Sequence, residues 1–192
     1  MKTLMLVLVV ISSANADMLM GRVDAKDGRE PGYTFGYCHE SGAEVWTFSQ
    51  PNFPIWEAGY STYVPLNKRT GVLVAGYISR WEKVDQWFVE PTAIVFSRIG
   101  NLKLKAFWGA YAPLNGGAWQ LYSNPTSLMA PVTRRLDLGI ATTCWFTEGA
   151  KPTFGVGPTA SLKVGSDLTL GAWALMGVNQ PDTVRLEAKF TF

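Results

Sequence analysis

Histidine occurs once in the 192 residues and cysteine twice. That leaves little from which to build a histidine-based metal centre or a Ser-His-Asp triad, and there is no CxxC spacing for a thiolate site. Charge is scarce as well: Asp, Glu, Lys and Arg make up 17% of the chain, against about a quarter in a soluble domain. The two signs nearly cancel, with 17 basic and 15 acidic residues, and so weak a basic excess argues against nucleic acid as a partner. No apolar run approaches the roughly twenty residues of a spanning helix. GxSxG, HExxH and phosphate-cradling glycine loops are absent, and nothing in the chain asks for a cofactor or a metal.

Apolar and aromatic residues fill the space so left: 47% of the chain is hydrophobic and 13% aromatic, too much for a disordered polymer, and the length suits one domain. Residues 1–16, MKTLMLVLVVISSANA, are laid out as a secretory leader, with Lys2 as n-region, an apolar stretch through Ile11 and a small-x-small Ala14-Asn15-Ala16 site. Cleavage before Asp17 would export the mature chain. Residues 17–54 show no long period and read as a periplasmic extension, a plug or extra strands. From 55 to 192 the pattern alternates with period two.

The last segment shows the alternation best. Val184, Leu186, Ala188, Phe190 and Phe192 share one face, and Arg185, Glu187, Lys189 and Thr191 the other. The same pattern recurs at about 55–66, 71–81, 87–99, 102–111, 135–146, 153–164 and 167–176. Turn-forming clusters such as Asn67-Lys68-Arg69-Thr70-Gly71 and Glu148-Gly149-Ala150-Lys151-Pro152 separate the runs. The count is eight strands in an antiparallel meander, which closes as a barrel or folds as a sandwich. An eight-strand count puts the long connection at roughly 113–133 on the same rim as the C-terminus. Strands at 117–122 and 44–48 would raise the count to ten and move that connection to the other rim.

Period two does not say which face meets water. The polar faces are rich in Gly, Ser and Thr as well as charge, which suits a narrow, filled lumen. Trp56, Trp81, Trp87, Phe146, Phe190 and Phe192 sit near strand ends, where interfacial girdles lie. With MKTLMLVLVVISSANA at one end and TVRLEAKFTF at the other, the chain resembles the small bacterial outer-membrane β-barrel proteins. The resemblance implies an all-β, antiparallel, up-and-down transmembrane barrel over 55–192 in the outer membrane. It also implies a non-enzymatic structural, surface-interaction or porin-like small-solute role. Its partners would be outer-membrane lipid and the barrel-assembly machinery, which would read Phe190 and Phe192 as a C-terminal signal.

On this reading the barrel interior is lined by Glu57, Glu90, Arg98, Lys103, Lys105, Arg135, Asp137, Lys163, Asp167, Arg185, Glu187 and Lys189. In eight strands these would pair into a plugging ionic core; in ten they would border a narrow channel, with Lys103 and Lys105 as a cationic lining for anions. Cys144 would face lipid, leaving it and Cys38 as separate thiols. Pro65, Pro91 and Pro158 fall within strand runs and must mark bulges or strand ends. The competing architecture is an exported soluble all-β module binding carbohydrate or lipid, its tryptophans stacking on sugar. A barrel-embedded hydrolase would have to rest on His39, whose neighbours Cys38 and Glu40 point to the opposite face of a strand. Asp24 to Gly28 lacks the alternating ligands of a calcium loop and reads as a turn.

Overall fold

The computed structural model describes residues 16–50 and 53–192; the leader expected from the sequence, apart from Ala16, lies outside the described residues. Twelve strands follow in chain order: β1 (Ala16–Lys26), β2 (Gly32–His39), β3 (Ala43–Gln50), β4 (Phe53–Pro65), β5 (Thr70–Trp81), β6 (Gln86–Ile99), β7 (Leu102–Pro113), β8 (Gln120–Pro131), β9 (Leu136–Thr147), β10 (Thr153–Val164), β11 (Leu168–Val178) and β12 (Thr183–Thr191). Each pairs antiparallel with its chain neighbours, and β1 pairs with β12, so the sheet closes.

Twelve strands correct the expectation of eight or ten. The additional four are β1, β2, β3 and β8; the ten-strand alternative had anticipated only β3 and β8. In β2 the outward residues Tyr33, Phe35 and Tyr37 alternate with inward Gly32, Thr34, Gly36 and Cys38. That alternation is of size rather than polarity, so a hydropathy pattern passes over it. In β8 the run is broken by a bulge between Ser123 and Thr126, which shifts its period midway. With twelve strands the connection 114–119 lies on the rim away from the C-terminus, together with 27–31 and 148–152. The terminal rim carries the shorter 40–42, 66–69, 100–101, 132–135 and 165–167. The first rim also carries 82–85 and 179–182, and its connections reach six residues against four on the terminal rim, an asymmetry in the direction of outer-membrane barrels.

The prolines fit the ladders. Pro65 ends β4. Pro91 and Pro158 lie inside strands, but the β6–β7 pairing skips Glu90 and Pro91 and the β10–β11 pairing skips Gly157 and Pro158. The missing N–H groups thus fall where the ladder makes no demand on them.

Around the outside, Val45, Val74, Val89, Trp108, Leu128, Ile140, Val156, Met176 and Leu186 are all exposed. Together they form a continuous apolar belt, the outer face expected of a transmembrane barrel. At the loop rim it ends in an anchored girdle: Trp56 Nε1 donates to Glu82 Oε1 at 2.8 Å, and Arg80 pairs with Asp85 and lies over the Trp87 ring at 5.1 Å. Such amphipathic rings belong at the membrane–water boundary. Trp81 is not in that girdle. It points inward, in a cluster with Ile55, Phe88, Tyr111 and Tyr122, because it shares the parity of buried Ser79, while Arg80 takes the outward position.

Two glycines shape the cross-section. A Cβ at Gly59 on β4 would run into the carbonyl oxygen of Gly76, and one at Gly157 on β10 into that of Ala174. The neighbouring strand therefore folds closely over each glycine, and the sheet turns sharply there.

Ile140, 60% exposed near the middle of β9, tests the assignment of the faces. Ile140→Arg is expected to cost about 2–4 kcal/mol in lipid vesicles, and Ile140→Ala far less. Reversible denaturant unfolding of the two variants measures the difference; equal losses would mean that this face is packed against protein.

Candidate functional site: the barrel interior

The inward positions divide into an acidic, aromatic half and a mixed-charge half. In the first, Glu44 on β3, Glu57 on β4 and Glu90 on β6 are buried, and each accepts hydrogen bonds from side chains one to three strands away. Glu44 accepts from Tyr77 at 2.6 Å, from Trp46 Nε1 at 2.8 Å and from the Ser61 hydroxyl. The Tyr111 hydroxyl donates to Glu57 at 2.8 Å. Glu90 accepts from the Tyr122 hydroxyl and from Ser79 at 2.9 Å. A buried carboxylate is tolerable only when so satisfied. Tyrosine suits the task because its ring fills space while its hydroxyl donates. The rings pack in turn: Tyr122 stacks between Tyr111, at 5.1 Å, and Trp145, at 4.9 Å, and Trp81 meets Phe88 and Tyr111 at 4.7 and 5.0 Å. The Glu57 and Glu90 part of this network occupies the loop-side interior of β4 to β9, whereas Glu44 and Ser61 lie beside the 40–42 turn.

The second half centres on β12 and β1. Arg185 Nε donates to Asp24 Oδ1 at 2.6 Å, and its Nη2 to Asp24 Oδ2 at 3.3 Å. Arg22 also reaches Asp24, at 3.3 Å, and Lys189 pairs with Glu187 at 2.7 Å. From the opposite wall Lys103 binds Asp137 at 2.7 Å. Lys105 makes no hydrogen bond or ion pair among the described residues and faces Lys189, Glu187, Arg22 and Arg185. The remaining Nη1 of Arg185 donates to Asn124 Oδ1 on β8 at 2.6 Å, a hydrogen bond that crosses the lumen. Beside it the inward positions of β9 to β11 are mostly small: Gly139, Ala141, Thr143, Gly155, Gly157, Thr159, Ser161 and Gly171. At the terminal rim a groove of about 410 Å³ is lined by Lys68, Arg69, Arg98 and Lys103 together with Tyr63, Phe96 and Ser97.

Among the residues singled out from sequence, Glu57, Glu90 and Arg185 are buried, and Lys103, Lys105, Asp137, Glu187 and Lys189 are partly buried. Arg98 and Lys163 are exposed at the terminal ends of their strands, and Arg135 and Asp167 belong to rim turns. Arg22, Asp24, Glu44 and Asn124 were not among them. One signal for Arg22 and Asp24 was in the sequence: Arg22-Val23-Asp24 is complementary in charge to Arg185-Leu186-Glu187 read antiparallel, and the register pairs Arg22 with Glu187 and Asp24 with Arg185. Asn124 carried none, since it sits in the β8 bulge. Cys38 has the inward parity of β2 and Cys144 the outward parity of β9, and no disulfide joins them. His39 Nδ1 is bonded to Ser41 Oγ at 2.8 Å in a rim turn, away from the buried carboxylates.

No family model matches the chain, and no curated protein sequence matches it. Its structure is similar to that of the KdgM porin, with a TM-score of 0.67 at 9% identity over 91% of this chain and 99% of that one. A second KdgM structure, described as a complex with disordered oligogalacturonate, gives 0.66 at 10% identity over 91% and 99%. The NanC porin gives 0.59 at 12% identity over 91% and 100%. The outer membrane protein Omp33 of Acinetobacter baumannii gives 0.52 at 12% identity over 93% and 98%. At such identities the likeness is one of fold, and the fold is that of an integral outer-membrane β-barrel.

Tyr111→Phe keeps the ring and deletes the donor to Glu57. It should lower unfolding stability by about 1–3 kcal/mol, the cost of leaving a buried acceptor unpaired, while Tyr33→Phe on the outer face of β2 should change little. Denaturant midpoints of the folded barrel measure both; equal effects would deny the carboxylate network its structural role.

Proposed function

We propose that this chain is a non-enzymatic outer-membrane barrel that gives small polar solutes, anionic ones above all, a route through its lumen. The observation that carries the reading is a closed twelve-strand sheet with an apolar belt outside and unequally filled charged halves inside. Eight strands enclose a space that side chains just fill, whereas roughly 16–18 leave an aqueous channel. Twelve lie between, so partial filling on one side leaves a lane on the other. The small residues of β9 to β11 border that lane, Lys105, Lys189, Arg22 and Arg185 supply its positive charge, and the basic groove opens at its terminal end. The oligogalacturonate in the KdgM title supports the anionic preference by analogy of fold.

The same reading assigns the outer belt to lipid and the sequence-predicted polar residues to two roles. Glu57, Glu90 and Asp137 hold structure. Arg98, Lys103, Lys105, Lys163, Arg185 and Lys189 set the field that a solute meets, with Arg135, Asp167 and Glu187 tuning it at the rim and wall. Phe190 and Phe192 end β12 on the lipid face, where they would serve the assembly machinery as a recognition signal.

Two experiments test this. In fractionated cells the protein should appear in the outer membrane and run faster on gels unboiled than boiled. Purified protein in a planar bilayer should then conduct, with chloride favoured over potassium. Recovery in the soluble periplasm, or a silent or cation-selective bilayer, would overturn the reading. Deletion of Phe192 should lower the outer-membrane yield several-fold without abolishing folding in detergent; an unchanged yield would remove the assembly role.

A further inference from the structure

Arg185 is tied on one side and tethered on the other. Asp24, its register partner on the adjoining strand, holds Nε and Nη2 in a two-point ion pair. Such a fork fixes the guanidinium plane. The free Nη1 then points across the lumen to Asn124 at 2.6 Å. The two ends of this bridge differ in strength: the anchor is a carboxylate, the far acceptor a neutral amide. Two further donors lie on the same wall. Trp173 faces Arg185 across the β11–β12 ladder, and Arg22 shares Asp24. Trp173 Nε1 and Arg22 Nε are both buried and make no hydrogen bond among the described residues. Buried donors are ordinarily satisfied, so this wall has capacity for an acceptor that the protein does not supply.

We propose that the Arg185–Asn124 bridge is a carboxylate-operated latch across the lumen. The inference rests on the pore reading above and adds to it the point at which the solute is selected. An arriving carboxylate takes the Asn124 oxygen's place on Nη1, because a charge-assisted hydrogen bond outcompetes a neutral one. Arg22 and Trp173 receive its remaining lone pairs. Asp24 keeps Arg185 in place throughout, so the latch recloses when the solute moves on. A neutral solute has nothing to offer Nη1 that the amide does not already supply, and it meets the bridge closed.

Glucuronate and glucose differ chiefly in one carboxylate and probe the latch directly, by swelling of liposomes that hold the purified full-length protein. The wild type should admit glucuronate about fivefold faster than glucose, the ratio expected from exchanging a neutral for a charged acceptor. Asn124→Ala should raise the glucose rate and shrink that ratio towards one. Arg185→Lys should do the same, since a lysine keeps a cation beside Asp24 but cannot bind Asp24 and Asn124 together. Asn124→Asp should slow both sugars by making the far end as strong as the anchor. Heat-dependent gel mobility certifies that each variant is a folded barrel. A permeable wild type whose ratio is unaltered in both Asn124→Ala and Arg185→Lys overturns the latch and leaves the pore standing. Impermeability of the wild type and of every variant overturns the pore and the latch with it. An impermeable wild type opened by Asn124→Ala overturns the latch as well, since the bridge would then be a fixed bar that a carboxylate does not release.

Discussion

The pairing of β1 with β12 is the constraint on which everything else rests. Met18 to Lys26 lie against Thr183 to Thr191, and through that ladder a sheet that would otherwise end in two edges has none. In hydrocarbon an unpaired backbone group costs several kcal/mol, so an open twelve-strand sheet would have no place in a membrane. The seam is also marked electrostatically. Arg22 stands opposite Glu187 and Asp24 opposite Arg185, and a slip of one residue would turn the two charges of the slipped strand outward. Cross-strand pairs of opposite sign contribute only about 0.2–1 kcal/mol each relative to alanines. Their larger effect here is to make the correct register the one in which no charge faces outward.

Closure fixes the inside as well. With the outer face largely apolar, most charged side chains of the strands share one small space, and the protein fills it in two ways. Between β3 and β9, tyrosines serve glutamates: Tyr77 with Glu44, Tyr111 with Glu57, Tyr122 with Glu90. Each pair joins strands that are not neighbours, so the rings brace the wall from within. On the β12–β1 side, charge is met by charge, with Lys105 left over.

The sequence was legible where one face was apolar and the other polar. β9 to β12 show that contrast, and for them the face assignments from Leu138, Leu162, Leu170 and Val184 hold against the exposure of those residues. It was not legible where the contrast disappears. β2 alternates aromatic with small, β1 puts Met18 and Met20 on the same inward face as Arg22 and Asp24, and at the loop-side end of β5 aromatic Trp81 takes the inward face and Arg80 the outward one. Strand number failed for that reason, and Trp81 was assigned to the girdle when it belongs to the interior cluster. Burial of Glu44 depends on Tyr77, 33 residues away, a meeting that no local pattern encodes. Asn124 is a stronger case: it lies in a bulge that breaks the period of its own strand, and its partner is 61 residues away.

The division of the interior follows from a difference in what the two halves can exchange. Each tyrosine–glutamate bond joins a fixed donor to a fixed acid, and breaking it strands a buried carboxylate, so that half has no inexpensive alternative state. On the other side Arg185 holds its strong partner on its own wall and its weak one on the far wall. The hydrogen bond that closes the lumen is therefore the one most readily exchanged for an incoming acceptor. A glutamate or aspartate at position 124 would have stapled the barrel shut with a second ion pair. An alanine there would have left the guanidinium without a far partner and the lane without a bar. The neutral amide is intermediate, strong enough to close the lumen in the absence of solute and weak enough to yield to a carboxylate. The stiffness of the tyrosine half keeps the two walls at the spacing that this exchange requires.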